Sequence, residues 1–257
     1  MDVVAFLIFV AAILAVSIIA AYFPMTVRTN DHQVHMMIAF SAGVFLGILF
    51  LILLPEAIHE SEGVYDVEMV LYVVLAGFLI MFAVDFILKH FRKADCDCHE
   101  CLDHHSHNIT SLSAWVGLSI HASFDGLALA TAFIIGEEVG LMVLVALCLH
   151  KTVEVFSLSS MFLLTKKRRQ AKIYLAVFCL LTPVAALISY FIFGGLESSI
   201  TGLAFAFSAG VFIFVTMLHM IPEAFHRKQT SIGSLALLLL GFAVIVLVVV
   251  LMGSSEL

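Results

Sequence analysis

Two spacings carry the chemistry of this sequence. His121-Ala122-Ser123-Phe124-Asp125 and His150-Lys151-Thr152-Val153-Glu154 each set a histidine and a carboxylate four residues apart. Positions i and i+4 share one face of an α-helix, so each stretch offers one imidazole and one carboxylate to a common point. Two such pairs form a four-coordinate nitrogen and oxygen site for a divalent transition metal. Imidazole suits borderline ions such as zinc, whereas magnesium and calcium prefer oxygen shells. No cysteine is among the four, so the ion is held more loosely than in a structural site built of four thiolates. The competing reading of each pair is interhelical hydrogen-bond glue or a proton relay.

The elements that must hold these groups are membrane helices. The chain has 257 residues, of which 63% are hydrophobic and 12% charged, against about 45–50% and about 25% in soluble domains. That excess excludes a water-soluble enzyme, and the continuity of the apolar runs excludes a β-barrel. Eight runs of spanning length are present, at about 3–23, 35–58, 67–90, 112–135, 139–164, 172–195, 200–222 and 231–252. The expected fold is an all-α polytopic membrane protein with eight transmembrane helices. Asp2 precedes the first run and no small-residue cleavage site follows it, so it reads as a permanent span and not a signal peptide.

His121 and Asp125 lie about ten residues into span 4, and His150 and Glu154 about eleven into span 5. At about 1.5 Å per residue, all four fall near mid-membrane. The connection between the two spans is only about Gly136 to Glu138, so they are antiparallel neighbours. A charged carboxylate at the bilayer centre costs at least about 2.5 kcal/mol, which makes four polar ligands costly unless a cation joins them. Lys151, next to His150, is placed either to fill the position of a second metal or to neutralise Asp125 or Glu154.

The basic residues set the orientation. Arg28, Lys89, Arg92, Lys93, Lys166, Lys167, Arg168, Arg169, Lys172, Arg227 and Lys228 fall in or beside odd-numbered connections, which leaves Lys151 as the exception among twelve. The even connections carry Glu60, Glu62, Asp66, Glu137, Glu138 and Glu197. The positive-inside rule makes the basic face cytoplasmic and puts both termini outside.

Phe40-Ser41-Ala42-Gly43-Val44-Phe45 recurs at 207–212, and Pro55-Glu56-Ala57-Ile58-His59 recurs as Pro222-Glu223-Ala224-Phe225-His226. Both recurrences are offset by 167 residues. Spans 2 and 7 cross in opposite directions, so the repeat is of inverted topology, spans 1–3 against 6–8 with 4 and 5 between. Secondary transporters alternate access around a midplane site with such repeats; the plainer reading is a generic small-residue packing patch. His219 and Glu223 repeat the i, i+4 pattern near the cytoplasmic end and are candidate exit residues. Glu56, opposite Glu223 in the repeat, is the candidate entrance residue. Asp85 near the cytoplasmic end of span 3 reads as a solvated end charge.

The third connection, 91–111, contains Cys96, Cys98, His99, Cys101, His104, His105 and His107. In a reducing compartment this composition points to soft or borderline metal binding and not to disulfides. The spacing matches no zinc-finger framework, so a flexible segment that receives, buffers or senses the ion is expected. Cys148 and Cys179 are expected to be small apolar packing residues.

His121-x-x-x-Asp125-Gly126, followed one helix later by His150-Lys151-x-x-Glu154, resembles the paired signature of the ZIP (Zrt/Irt-like) metal transporters. Eight spans, outside termini and a His-rich third connection are similar to that family over the whole chain. The resemblance implies uptake of zinc, and in some members iron, manganese or cadmium, into the cytoplasm. It further implies a 3+2+3 arrangement with the metal between helices 4 and 5, a moving part that includes those two helices, and often a homodimer in the cell membrane. This chain departs from the family pattern in span 4, where Ala122, Phe124 and Asp125 replace Asn, Pro and Glu. Lys151 stands where many members are acidic, and span 6 has no carboxylate between Lys172 and Gly195. These departures imply one metal at the centre and not a bridged pair.

The competing function is an intramembrane zinc hydrolase, which needs an open coordination position and a separate general base. A metal-responsive receptor with the Cys/His segment as its sensor is the third reading. No nucleotide-binding loop supports an ATP-driven pump. The expected partners are the divalent ion and the lipid bilayer, with no nucleic acid and no resident cofactor.

Overall fold

The structure, a computed structural model, describes residues 3–26, 30–93, 101–163, 168–193, 198–225 and 232–253. Among them there are eight helical rods long and apolar enough to cross a membrane and no strand. They are α1 (Val3–Thr26), α2 (Asp31–Ile48, continued to Ser61), α3 (Val67–Lys93), α4 (Cys101–Ile135), α5 (Glu137–Leu163), α6 (Arg168–Ile188, continued to Phe193), α7 (Ser198–Val215, continued to Ala224) and α8 (Ile232–Gly253). The membrane-length segments agree with the apolar runs of the sequence to within a few residues at each end. The protein is a multi-pass membrane protein.

Two helices contain a π turn just before a proline. Leu49–Leu53 in α2 precedes Pro55, and Thr216–Met220 in α7 precedes Pro222. Proline lacks an amide hydrogen, and its ring collides with the carbonyl four residues back. Widening that turn to i→i+5 bonding relieves the clash without ending the helix. The two π turns are offset by the same 167 residues as the sequence repeat.

One pair of glycines, Gly43 and Gly210, has the same offset. A methyl on Gly43 of α2 would strike the Leu238 carbonyl of α8, and one on Gly210 of α7 would strike the Val74 carbonyl of α3. The reciprocal contacts recur too: Gly241 of α8 abuts the Phe40 carbonyl, and Gly77 of α3 abuts the Phe207 carbonyl. Lipid tails are as apolar as leucine, so close backbone approach and dispersion hold such pairs together.

Hydrogen bonds from side chains to backbone tie the other four helices. Ser159 of α5 donates to the Ala21 carbonyl of α1 at 2.8 Å, and Thr182 of α6 donates to the Ala122 carbonyl of α4 at 2.9 Å. Trp115 of α4 donates to the Tyr174 carbonyl of α6 at 2.9 Å. Gly126 lets α6 approach beside the site, where a methyl would meet the Thr182 carbonyl. These bonds join α1 to α5 and α4 to α6, and Gly140 of α5 packs on Phe133 of α4 to complete one set; the second set, α2, α3, α7 and α8, is joined largely by glycine contacts.

One expectation changes. The third connection was expected to reach residue 111 as a flexible segment, but α4 begins at Cys101. No glycine or proline interrupts 101–111, so the helix continues outward from the span and carries Cys101, His104, His105 and His107 on its first turns. Cys96, Cys98 and His99 lie outside the described residues.

Candidate metal centre

His121 and Asp125 project from α4, and His150 and Glu154 from α5. Each of the four offers a ligand atom, and these atoms lie within 4.8 Å of one another. His121, Asp125 and Glu154 are buried, and His150 is partly open. Asp125 is the hub: its Oδ1 is 3.4 Å from His121 Nε2, and its Oδ2 is 3.3 Å from His150 Nε2. A tetrahedral site with bonds of about 2.0–2.2 Å has ligand–ligand edges of about 3.4 Å. Two separations already match that edge, and the widest must close by about 1.4 Å.

The Lys151 ammonium lies among these groups. Its Nζ is 2.7 Å from Asp125 Oδ2 and is also bonded to Glu154 Oε2. Lys151 is only 1% exposed, and its Nζ lies 5.5 Å from the centre of the Phe178 ring. A mid-membrane lysine is held there because two carboxylates and an aromatic face surround it. Snorkelling to an interface, the ordinary course for a membrane lysine, is not what it does.

Two buried atoms of the cluster have no hydrogen-bond partner, His121 Nε2 and Glu154 Oε1. Leaving such an atom unsatisfied costs about 1–3 kcal/mol. Both are lone-pair donors of the kind a metal uses. The other His121 nitrogen, Nδ1, is hydrogen-bonded to Ser208 Oγ, which fixes the ring so that Nε2 faces the cluster. Ser208 belongs to α7, in the second helix set. Sequence reasoning placed Ser208 in the repeat only as a small residue; its position in Ser-Ala-Gly at the repeat offset was the available signal. Its counterpart Ser41 is fully buried, and its hydroxyl has no partner.

The remaining candidates lie elsewhere. Glu56 is exposed at the far end of α2. His219 and Glu223 are buried where the basic ends of the helices meet. His219 Nε2 donates to Asp85 Oδ1 at 3.2 Å, and Glu223 Oε1 lies 3.9 Å from His35 Nδ1. His35 was not legible as a site residue: Asp31 stands four residues before it in the sequence, but the group it meets is the Glu223 backbone carbonyl, 188 residues away, to which it donates at 2.8 Å. Asp85 corrects the expectation of a solvated charge. It is 5% exposed, accepts from Ser113 of α4 at 2.6 Å and pairs with Lys89 at 2.7 Å. Lys89, Ser113 and His219, from three different helices, satisfy it, so it need not reach water.

Eight membrane-length helices around a buried His/carboxylate cluster define a polytopic membrane protein of the metal-transporter class. The chain belongs to the ZIP Zinc transporter family, whose family model matches residues 3–105 and 95–249. It is 27% identical to Zinc transporter ZIP9 of Micropogonias undulatus, with 80% of each chain covered. It is 27% identical to Zinc transporter ZIP9-A of Xenopus laevis, with 84% of each covered. Over 49% of its length it is 33% identical to Protein zntA of Dictyostelium discoideum, covering 27% of that protein. The protein is a transporter and not an enzyme.

Proposed function

We propose that this chain takes zinc into the cytoplasm through the mid-membrane centre formed by His121, Asp125, His150 and Glu154. The observation that carries the reading is the convergence of four ligand atoms within 4.8 Å in the apolar interior. The orphaned His121 Nε2 and Glu154 Oε1 support it. The donor set of two imidazoles and two carboxylates admits Fe²⁺, Mn²⁺ and Cd²⁺ as lesser substrates. No resident cofactor takes part.

Lys151 acts as the counter-ion of the empty centre and keeps it to a single metal. Its ammonium bonds the same carboxylates that an incoming ion must use, so the ion displaces it. The basic end of the bundle is cytoplasmic and both termini are extracellular, in the cell membrane. Glu56 lies at the entrance; His219 and Glu223, joined by Asp85 and His35, line the exit. The segment with Cys96, Cys98, His99, Cys101, His104, His105 and His107 receives or senses the released ion. Helices 1–3 and 6–8 form an inverted repeat around helices 4 and 5. The recurring π turns and glycine contacts support that division and a rigid-body alternation between the two helix sets. The protein works as a homodimer.

The test is zinc flux into proteoliposomes of purified protein, run with both gradient directions. Wild type is expected to carry zinc, and Asp125→Ala to insert and fold yet carry none. Normal flux by a folded Asp125→Ala protein overturns the centre.

A further inference from the structure

A groove of about 340 Å³ runs along the outer surface between α1 and α6, and none of the four metal-centre residues lines it. Its walls are apolar: Leu14 and Ile18 of α1 face Leu175 and Leu180 of α6. At one end stand Tyr22 and Lys172. Both are exposed, as is Arg169 one turn earlier on α6. From Lys172 to Leu180 the groove extends about 12 Å at about 1.5 Å per residue. That is most of one leaflet of a hydrocarbon core about 30 Å thick.

Lys172 at this end and Arg169 one turn earlier are both cations, and the sequence next to them is of one sign. Lys166, Lys167, Arg168, Arg169 and Lys172 lie within seven residues, and no Asp or Glu occurs between Glu154 and Glu197. Arg28 follows the end of α1. An amphiphile that fits has an acyl chain in the leaflet and an anionic head at the interface. Juxtamembrane cations attract such lipids, and a tyrosine at the same level suits the boundary between head and tail. A zwitterionic lipid satisfies the walls and not the rim.

We propose that the α1–α6 groove is a binding site for one anionic phospholipid of the basic-side leaflet, its acyl chain between Ile18 and Leu180 and its phosphate on Lys172 and Arg169. The site reaches toward the transport centre. Cys179 in its wall is 4% exposed, and the adjacent Phe178 carries the Lys151 ammonium on its ring. Occupancy therefore braces the helix behind the lysine.

Two kinds of variant separate a built site from general attraction of a basic surface. Lys172→Ala with Arg169→Ala removes the rim charge and leaves the groove. Ala176→Trp fills the groove and leaves the charge. Purified full-length protein is washed in detergent, offered equal phosphatidylglycerol and phosphatidylcholine, and the retained lipid is counted by native mass spectrometry. Wild type is expected to keep one phosphatidylglycerol in preference to phosphatidylcholine. Retention should fall about fivefold for each cation removed, and Ala176→Trp should abolish it. Unchanged zinc binding at the centre serves as the check that each variant is folded. Equal retention of the two lipids by wild type overturns the proposal. So does full phosphatidylglycerol retention by Ala176→Trp, which would mean surface charge alone is at work. If the variants misfold, cross-linking a photoreactive phosphatidylglycerol to wild type decides: label on α1 and α6 supports the groove, and label spread over the helices refutes it.

Discussion

Replacing Lys151 by methionine tests whether its ammonium is the counter-ion of the metal centre. Methionine keeps much of the length and apolar bulk of the side chain and removes the charge. Asp125 and Glu154, 4% and 1% exposed, then lose the cation that bonds both. Removing one partner of a buried ion pair destabilises by about 3–5 kcal/mol. For a chain of this size each kcal/mol moves the melting point by about 2–4 °C, so the metal-free variant should melt about 6–20 °C lower. Zinc should reverse much of this, because the ion supplies the missing charge. Binding at a hundredfold excess over Kd adds about 2.7 kcal/mol, and the Kd itself should fall once the ammonium no longer competes. Thermal unfolding of purified protein, followed by circular dichroism with chelator and with zinc, reads both effects. The zinc-induced rise should be larger in Lys151→Met than in wild type. An unchanged metal-free melting point together with an unchanged zinc-induced rise refutes the counter-ion role.

Lys151→Asp should raise the zinc bound per centre from one to two by elemental analysis, because a third carboxylate then replaces the competing cation. Ser208→Ala should weaken zinc binding about 10–100-fold by freeing the His121 ring, as measured by calorimetry, whereas Ser41→Ala, which removes a buried hydroxyl without a partner, should leave it unchanged. Gly43→Leu and Gly210→Leu should each destabilise by about 1–3 kcal/mol or more through overpacking against a carbonyl, lowering the melting point of protein that still inserts. Serine at Cys96, Cys98, Cys101 and the neighbouring histidines should leave initial zinc flux largely intact and remove its shut-off at high internal zinc; loss of flux would place the segment on the obligatory path.

Long apolar runs made the eight spans legible, because a bilayer admits few alternatives once a run is long enough. The i, i+4 pairs were legible for a related reason: helical periodicity and a one-residue connection at Gly136 leave α4 and α5 little freedom to point elsewhere. What stayed hidden depends on contacts between distant positions. His35 bonds a backbone carbonyl at the end of α7, and no sequence pattern marks a carbonyl as a partner. Asp85 looked like an end charge because its partners, Ser113 and His219, come from two other helices. The stretch from Cys101 to Ser111 read as a connection because its polarity ends the apolar run, yet a helix can leave the membrane without stopping. Ser208 was visible as a recurrence, and its work on His121 was not.

The arrangement around Asp125 bears on how a carrier lets go of its ion. A structural zinc site satisfies its ligands only with metal, so release leaves bare buried charge and is slow. Here Asp125 Oδ2 is shared by His150 at 3.3 Å and Lys151 at 2.7 Å. The two carboxylates and the ammonium sum to one negative charge, against two for the carboxylates alone. In the proposed centre an entering ion would gain four ligands but have to displace the lysine, and a leaving ion would be replaced by it. The lysine would then flatten the free-energy difference between loaded and empty states. An apolar interior amplifies every uncompensated charge, so a transporter with this centre gains turnover from a cation that never leaves the chain.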